Sequence, residues 1–175
     1  MQLVIPRETH QGENRVSAIP ETGKKLVRLG AEVVIESGAG IGAGISDADY
    51  EAAGASIGSD RSALLGSADM VLRLRKPEIE EISQLKGGCI HVSYLDPFNE
   101  KELIKAFASH NVTAVSMEMI PRSTRSQKMD ALSSQANLAG YMAVMLAVNN
   151  MPSIMPMMMT PAGTCLLYTS DAADE

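Results

Sequence analysis

The sequence predicts an α/β fold with a mostly parallel sheet and flanking helices. Short apolar runs alternate with amphipathic stretches along most of the chain, and glycines and prolines separate them. The apolar runs are rich in Val and Ile, which is typical of strands buried on both faces of a parallel sheet. The length of 175 residues allows one sizeable core but not two full domains.

Six strands are predicted, each from a short apolar run that ends at a turn residue or a charge. In chain order they are Gln2–Ile5, Glu32–Glu36, Ala55–Gly58, Met70–Leu74, Cys89–Ser93 and Thr113–Met117. Helices are predicted between them. The first runs from Pro20 to about Leu29, because proline suits a first helical turn and Gly30 relieves left-handed strain at the end.

Three further helices have recognisable starts. Ser46 or Asp47 caps the second, and Asn99 caps another that runs to about Ser109. The last helix, from Lys128 to Asn149, is polar in its first half and almost wholly apolar in its second half. The second half is therefore predicted to be buried.

The composition excludes several classes of function. A net charge of −6 disfavours nucleic acid as a partner, since phosphate backbones select basic surfaces. The two cysteines, Cys89 and Cys165, provide neither a disulfide framework nor a metal quartet, and a reducing cytoplasm fits best. We expect no signal peptide. We also expect no membrane span, because asparagines and prolines interrupt the longest apolar region, Tyr141–Met159.

Several titratable groups are expected to be structural. The histidines lie in a strand, in a loop and at a helix end, and they are His91, His10 and His110. The acidic cluster Glu78, Glu80 and Glu81 is expected to form a solvated helix start. No metal site is predicted, because no set of His, Cys and carboxylate ligands has a suitable spacing.

A glycine-rich run follows the second strand and formally matches a dinucleotide fingerprint. The run SGAGIGAG, Ser37–Gly44, contains Gly38-x-Gly40-x-x-Ala43. A real fingerprint places its last glycines in the first turn of a helix, where the pyrophosphate binds. Here the helix is predicted to begin only after Ser46, so the run is interpreted as a loop that joins a strand to a helix.

The segment Met117–Tyr141, MEMIPRSTRSQKMDALSSQANLAGY, concentrates the polar chemistry of the chain. Arg122 presents a rigid fork of donors that can clamp a carboxamide or a phosphate, and Asp130 can hold that fork in one rotamer. Gln127 and Ser133 supply neutral donors and acceptors beside the pair. The alternative is a solvated loop in which Asp130 acts only as a helix cap.

This segment resembles the active-site loop of the alpha subunit of proton-translocating NAD(P) transhydrogenases, with the pattern PR-x-x-R-x-Q-x-x-D-x-L-S-S followed by Asn-Leu-Ala-Gly-Tyr. The N-terminal run IPRETHQGENRVSAIPETGKKLVRLGAEVVIESGAG, Ile5–Gly40, is similar to the opening of both transhydrogenases and alanine dehydrogenases. The resemblance covers about the first 164 residues. It implies a flavodoxin-like N-terminal domain followed by a Rossmann domain.

The resemblance also implies roles for individual residues. Arg122 contacts the NAD nicotinamide and the adjacent phosphate region, and Asp130 orients Arg122. Gln127 reaches toward a second nucleotide, and Ser133 bonds the nicotinamide carboxamide. The remaining cofactor contacts implied by the loop are Ser123, Thr124 and Leu132.

Domain boundaries follow from the same resemblance. Residues 1–125 are expected to form the N-terminal domain, and residues 126–164 are expected to begin the NAD-binding half with a linking helix. The chain is expected to be truncated before the Rossmann domain. The last segment, residues 165–175, CLLYTSDAADE, has no counterpart in the family and is expected to be non-native, because it matches a translated transposon-derived sequencing adapter.

The implied activity is hydride transfer between NADH and NADP, coupled to proton translocation. NAD(H) is expected on this subunit and NADP(H) on a partner domain or beta subunit. A membrane domain and a homodimeric full-length protein are the other implied partners. The implied location is the cytoplasmic side of the inner membrane, with the subunit peripheral to it and joined through the complex, and the chain alone is expected to be inactive.

Two rival functions remain open. In alanine dehydrogenases, which the N-terminal run resembles, an arginine and a lysine hold the keto-acid carboxylate, and the matching positions here are Arg15 and Arg75. However, Leu95 falls where those enzymes have a general-acid histidine, and His91 lies too far along its strand to replace it. The other rival is a non-catalytic interaction module that docks through the Met-rich apolar stretch.

Overall fold

The structure is a computed structural model that describes residues 1–152, 158–160 and 163–165. The chain forms two compact units, Met1–Pro121 and Arg122–Glu175. The first unit is built around one parallel sheet. The second begins with a polar loop and contains a long helix.

All strands of the first unit belong to one six-stranded sheet in which every pairing is parallel. The strands are β1 (Gln2–Ile5), β2 (Glu32–Glu36), β3 (Ser56–Gly58), β4 (Met70–Leu72), β5 (Ile90–Ser93) and β6 (Thr113–Ser116). Their order is β3-β2-β1-β4-β5-β6. The chain therefore winds outward twice from the centre, and the direction reverses between β1 and β4. The predicted fold class is confirmed.

Helices of this unit connect successive strands. They are α1 (Pro20–Arg28), α2 (Asp47–Ala52), α3 (Arg61–Ser67), α4 (Ile79–Ile82) and α5 (Lys101–Ser109), with a short 3-10 turn at Ile41–Ala43. Proline begins α1, and Gly30 follows its end with a φ of 89°. The Ser46 side chain caps α2 in a capping box with Asp49, which confirms one of the two predicted caps.

The core lies on both faces of the sheet. One cluster contains Val4, Val71 and Phe107, and the other contains Leu3, Ile35 and Tyr50. Adjacent residues of β1 thus enter opposite clusters, as the twofold repeat of a strand requires. Because both faces are covered, the central strands are apolar without interruption.

The predicted cap of α5 is wrong. Glu100 occupies that position without a side-chain cap, while the amide of Asn99 bonds both carboxylate oxygens of Asp96 at 2.9 and 3.0 Å. Asp96 has a φ of 50°, so a tight turn precedes the helix. The turn takes the hydrogen-bonding capacity of Asn99 that the helix would otherwise use.

The second unit contains the helix α6 (Ala131–Asn150), preceded by a 3-10 turn at Gln127–Met129. A hairpin of β7 (Met158–Thr160) and β8 (Gly163–Cys165) follows. The prediction that the second half of α6 is buried is wrong for this chain: Leu146 is 57% exposed and Met142 is 54% exposed. Within the described residues, this unit has no second helix that packs on α6.

Helix α6 is long and apolar enough, by length and composition alone, to cross a membrane. The sequence-based expectation of no span used the segment Tyr141–Met159, which prolines and asparagines interrupt. The helix begins before that segment and ends before its prolines, so the helical stretch is uninterrupted and carries no charge. This criterion is also met by core helices of other proteins.

Candidate functional site

The polar loop between β6 and α6 brings three of the predicted site residues together. Asp130 occupies the N-cap of α6, and its Oδ1 accepts the backbone N–H groups of Leu132 at 3.0 Å and Ser133 at 3.2 Å. Its Oδ2 accepts the Ser133 hydroxyl at 2.7 Å. The cap and the site therefore use the same carboxylate.

Arg122 reaches the same carboxylate from the far side of the loop. Its Nε lies 3.4 Å from Asp130 Oδ2, and one terminal nitrogen donates to the Ser133 hydroxyl at 3.3 Å. The Arg122 side chain is 70% exposed, whereas that of Asp130 is 11% exposed. The guanidinium is thus held at one edge while most of its donors face solvent, where a ligand can accept from them.

The electrostatics of the cluster keep Asp130 ionised. The pKa of Asp130 is lowered, mainly by the hydrogen bond from the Ser133 hydroxyl, then by the backbone N–H of Ser133 and, more weakly, by the charge of Arg122. Burial opposes this shift. An ionised carboxylate can only accept, so every donor around it must point inward.

The remaining predicted site residues line the same loop at its surface. Gln127 begins the 3-10 turn, and its side chain is exposed. The Ser123 hydroxyl donates to that of Ser126 at 3.2 Å, which tightens the loop. Thr124 and Leu132 are exposed, with Leu132 at 47%. These four residues therefore flank the Arg122–Asp130–Ser133 cluster without joining its hydrogen bonds through their side chains in the described structure.

A second polar cluster lies at the carboxyl ends of β1 and β4, where the winding of the sheet reverses. Arg15 donates to both oxygens of Glu13 at 2.6 Å, and Arg75 donates to one of them at 2.9 Å. The Glu13 side chain is only 3% exposed. The Arg15 hydrogen bond is the main cause that lowers the pKa of Glu13 to about 2; burial opposes it and Arg75 adds to it.

Glu13 is the residue that sequence reasoning missed here. Arg15 and Arg75 were predicted to mark the carboxylate site of the dehydrogenase alternative, and they do lie together, but around an internal carboxylate. The signal was the short Glu-x-Arg spacing at residues 13 and 15. Nothing in the spacing relates either residue to position 75, because only the pairing of β1 with β4 brings them near each other.

A cleft of about 240 Å³ opens beside this cluster. It is lined by Arg7, Glu8, Glu13, Asn14, Arg15 and the glycine run from Gly38 to Gly42. The run turns back through its 3-10 helix and ends at Gly44, before the cap of α2 at Ser46. As predicted, its glycines do not lie in the first turn of that helix.

The two residues weighed for proton transfer are both closed to solvent. Leu95 is 1% exposed, and its backbone N–H donates to Glu118 at 2.9 Å. His91 is also 1% exposed and packs against Phe107 with ring centroids 5.0 Å apart. Burial first, and then the charge of Arg73, lower the pKa of His91 to about 3, against a weaker opposite effect of Glu81. The interpretation of His91 as structural is consistent with this environment.

Glu81 was expected to be solvated, and that expectation is wrong. It accepts from Arg61 at 2.7 Å and from Arg73 at 2.8 Å, and its side chain is 17% exposed. Burial would raise the pKa of Glu81, but the two arginines outweigh it and the pKa is lowered. Arg61 also bonds Glu36 at 2.6 Å, so the network joins α3 and α4 to the end of β2.

Among the described residues, no group of three or more His, Cys, Asp and Glu side chains is arranged to hold a metal ion. The acidic side chains that do come together are paired with arginines, as Glu13 and Glu81 are. Their oxygens are therefore engaged by cations of the protein itself.

The fold and the loop define the class of protein: a doubly wound parallel α/β domain followed by a polar loop and a long helix. Residues 4–139 match the model of the family "Alanine dehydrogenase/PNT, N-terminal domain". The chain belongs to this family.

Relatives agree on the branch of the family. The chain is 42% identical over 169 residues to the first of the chains that make up NAD(P) transhydrogenase subunit alpha in Rhodospirillum rubrum, covering 94% of this chain and 44% of that protein. The crystal structure of transhydrogenase from Sinorhizobium meliloti matches with a TM-score of 0.84 and 44% identity, over 94% of this chain and 49% of that chain. The chain thus spans less than half the length of these relatives.

An L-alanine dehydrogenase structure also matches, with a TM-score of 0.77 and 29% identity, over 85% of this chain and 40% of that chain. Its sequence identity is lower than that of the transhydrogenase structure, and so are its TM-score and coverage. The common fold therefore extends across the family, while the sequence lies nearer the transhydrogenase branch.

Proposed function

We propose that this chain is part of the NAD(H)-binding alpha subunit of a proton-translocating NAD(P) transhydrogenase, and that its polar loop holds the nicotinamide end of NAD(H). The similarity to transhydrogenase alpha subunits supports this branch of the family. The single observation that carries the proposal is the cluster of Arg122, Asp130 and Ser133 at the start of α6.

The cluster fits the group it would hold. The nicotinamide end of the dinucleotide carries a carboxamide, with one acceptor and one donor group, and lies near an anionic pyrophosphate. Arg122 offers exposed donors for an anion or a carbonyl, and Ser133 offers an oxygen beside them. The bound nucleotides supply hydride transfer between two nicotinamides, and the protein supplies orientation.

Each residue of the loop then has a separate role in that orientation. Asp130 holds Arg122 and also caps α6, so the position of the guanidinium is tied to the start of a rigid helix. Gln127 extends from the exposed side of the loop toward a second nucleotide. Ser123, Thr124 and Leu132 complete the surface that faces NAD(H).

The proposed assembly follows from the same branch of the family. NADP(H) is bound by a partner domain or beta subunit, and a membrane domain couples hydride transfer to proton translocation. The full-length protein forms a homodimer, and this subunit lies on the cytoplasmic side of the inner membrane. The name of the Rhodospirillum relative describes an alpha subunit divided between chains, which supports partner chains in general terms.

An alanine dehydrogenase-type activity is the second candidate, because Arg15 and Arg75 meet at the carboxyl ends of β1 and β4. Two observations weigh against it. Glu13 already pairs with both arginines, and the position expected for a general acid is the buried, apolar Leu95. A buried neutral His91 cannot carry a proton to a substrate at that edge.

The test is Arg122→Ala in the full-length protein. We expect hydride transfer from NADH to NADP to fall at least tenfold with the fold intact, since the change removes a charge-assisted contact with a net value of roughly 1.5–3 kcal/mol. Lys128→Ala is the matched control, because Lys128 also carries a positive charge in this loop.

A transfer rate for Arg122→Ala equal to that of the wild type would refute the role of the loop. Turnover of pyruvate, ammonia and NADH is measured on the same preparations. Robust turnover in that assay would favour the dehydrogenase candidate over the transhydrogenase one.

A further inference from the structure

The hydroxyl of Ser133 has only one proton, and the structure accounts for it. Ser133 Oγ lies 2.7 Å from Asp130 Oδ2. An ionised carboxylate has no proton to donate, so the hydroxyl proton must lie in this bond. The lowered pKa of Asp130 keeps the carboxylate ionised at neutral pH.

The lone pairs of Ser133 Oγ can be counted in the same way. Arg122 has only donors, so its terminal nitrogen, 3.3 Å away, donates to the hydroxyl oxygen. A hydroxyl oxygen accepts two hydrogen bonds, which leaves one lone pair for a ligand. The serine therefore has an acceptor to offer and no donor, although serine is usually either.

We propose that Ser133 recognises the amino group of the nicotinamide carboxamide as an acceptor, and that Asp130 determines this specificity by holding the hydroxyl proton. The inference rests on the proposed function of the loop. The carboxamide oxygen then turns toward Arg122, which has only donors. Asp130 is a positioning residue in this account, and it selects a carboxamide over groups that lack an N–H.

Two ligands separate the possible polarities. NADH carries a carboxamide, and reduced 3-acetylpyridine adenine dinucleotide carries a methyl ketone in its place. Both have the carbonyl oxygen, but only NADH has the N–H group. If Ser133 accepts, its loss weakens NADH alone; if Ser133 donates to the carbonyl, its loss weakens both ligands equally.

The experiment measures the dissociation constants of both ligands for the full-length protein by titration calorimetry, without turnover. We expect Ser133→Ala to weaken NADH about fivefold, equivalent to about 1 kcal/mol, and to leave the methyl ketone within twofold. Ser134→Ala is the matched control, because its hydroxyl bonds the backbone oxygen of Ala131 at 3.0 Å instead.

Asp130→Asn provides the second variant. Asparagine is also a good N-cap, so the helix start is retained. Its amide nitrogen can donate to Ser133 Oγ and release the hydroxyl proton toward the ligand. We expect the preference for NADH over the methyl ketone to fall about fivefold or to reverse.

The outcomes separate this inference from the function on which it rests. If Arg122→Ala and Ser133→Ala left both dissociation constants unchanged, the loop would not bind the nicotinamide and the proposed function would fail. If Arg122→Ala weakened binding while Ser133→Ala changed both ligands equally, or neither, only the polarity assigned to Ser133 would be overturned.

Discussion

His91 shows how burial determines the chemistry of a single residue. Its ring is enclosed in the sheet beside Phe107, and within the described structure its Nε2 has no hydrogen-bond partner. Arg73 and Glu81 are the charged groups that act on it, with opposite signs. A neutral imidazole in this position contributes packing at pH 7 and becomes a liability in acid.

We expect the stability of the chain to fall as the pH is lowered from 6.5 toward 3. The unfolded chain binds the His91 proton near pH 6.5 and the folded chain only near pH 3, so the unfolded state holds more protons in between. The contribution of this histidine is at most about 1.4 kcal/mol per pH unit. Urea unfolding of the wild type and of His91→Leu across this range tests it.

In His91→Leu the slope that begins at pH 6.5 should be absent, while stability at pH 7 should stay within about 1 kcal/mol, since no hydrogen bond of Nε2 is lost. His10→Leu controls for loss of an imidazole at an exposed loop position. An unchanged slope in His91→Leu would show that other groups bind the protons.

At the scale of an element, the glycine run after β2 is explained by packing. A Cβ at Gly40 would lie 2.8 Å from the backbone oxygen of Ile45 and 2.9 Å from the ring of Tyr50. Tyr50 is fully buried, and its hydroxyl donates to the backbone oxygen of Ala18 at 2.9 Å. The glycine therefore permits a close approach of the loop to the core, with no ligand needed to account for it.

Gly40→Ala should lower the free energy of unfolding by about 1–3 kcal/mol, the usual cost of overpacking. In the folded full-length protein, the NADH dissociation constant should stay within a few-fold of the wild-type value. Gly87→Ala is the control, because a Cβ there meets nothing within 4 Å. Thermal unfolding and an NADH titration measure both quantities.

A loss of NADH affinity in Gly40→Ala without a loss of stability would reverse this interpretation. It would assign the run Gly38–Gly44 to the nucleotide rather than to the core.

For the whole molecule, the decisive feature is the helix α6. Its exposed apolar side chains form a continuous surface that includes Met142, Met145 and Leu146, which lie on one face at helical spacing. An exposed surface of this kind promotes association. The described residues also contain no glycine turn that leads directly into a helix N-terminus for a pyrophosphate, so the loop alone meets the nucleotide.

The 175-residue chain by itself should therefore bind NADH no tighter than about 1 mM, equivalent to roughly −4 kcal/mol, and should self-associate. Met145→Lys should reduce the association measured by light scattering. Leu29→Lys is the control, because Leu29 is 84% exposed but lies outside this surface. Micromolar NADH binding by a clean monomer would contradict the prediction.

The sequence by itself determined the parallel α/β fold and the bounds of most strands, because strand periodicity, proline starts and glycine ends act over a few neighbouring residues. β1 and β2 have the predicted bounds, whereas β4 ends earlier, at Leu72. The Asp130 cap was likewise readable from its place before a helical pattern. Local signals of this kind need no knowledge of the distant chain.

Only the tertiary structure decided which distant charges meet. The order of the strands brings the segment that follows β4 beside the segment that follows β1, so Arg75 reaches Glu13, and it encloses Glu81 between Arg61 and Arg73. The same applies to the exposure of α6, since an apolar sequence does not say what covers it. Burial and ion pairing depend on neighbours that are remote in sequence, and those neighbours exist only once the sheet has formed.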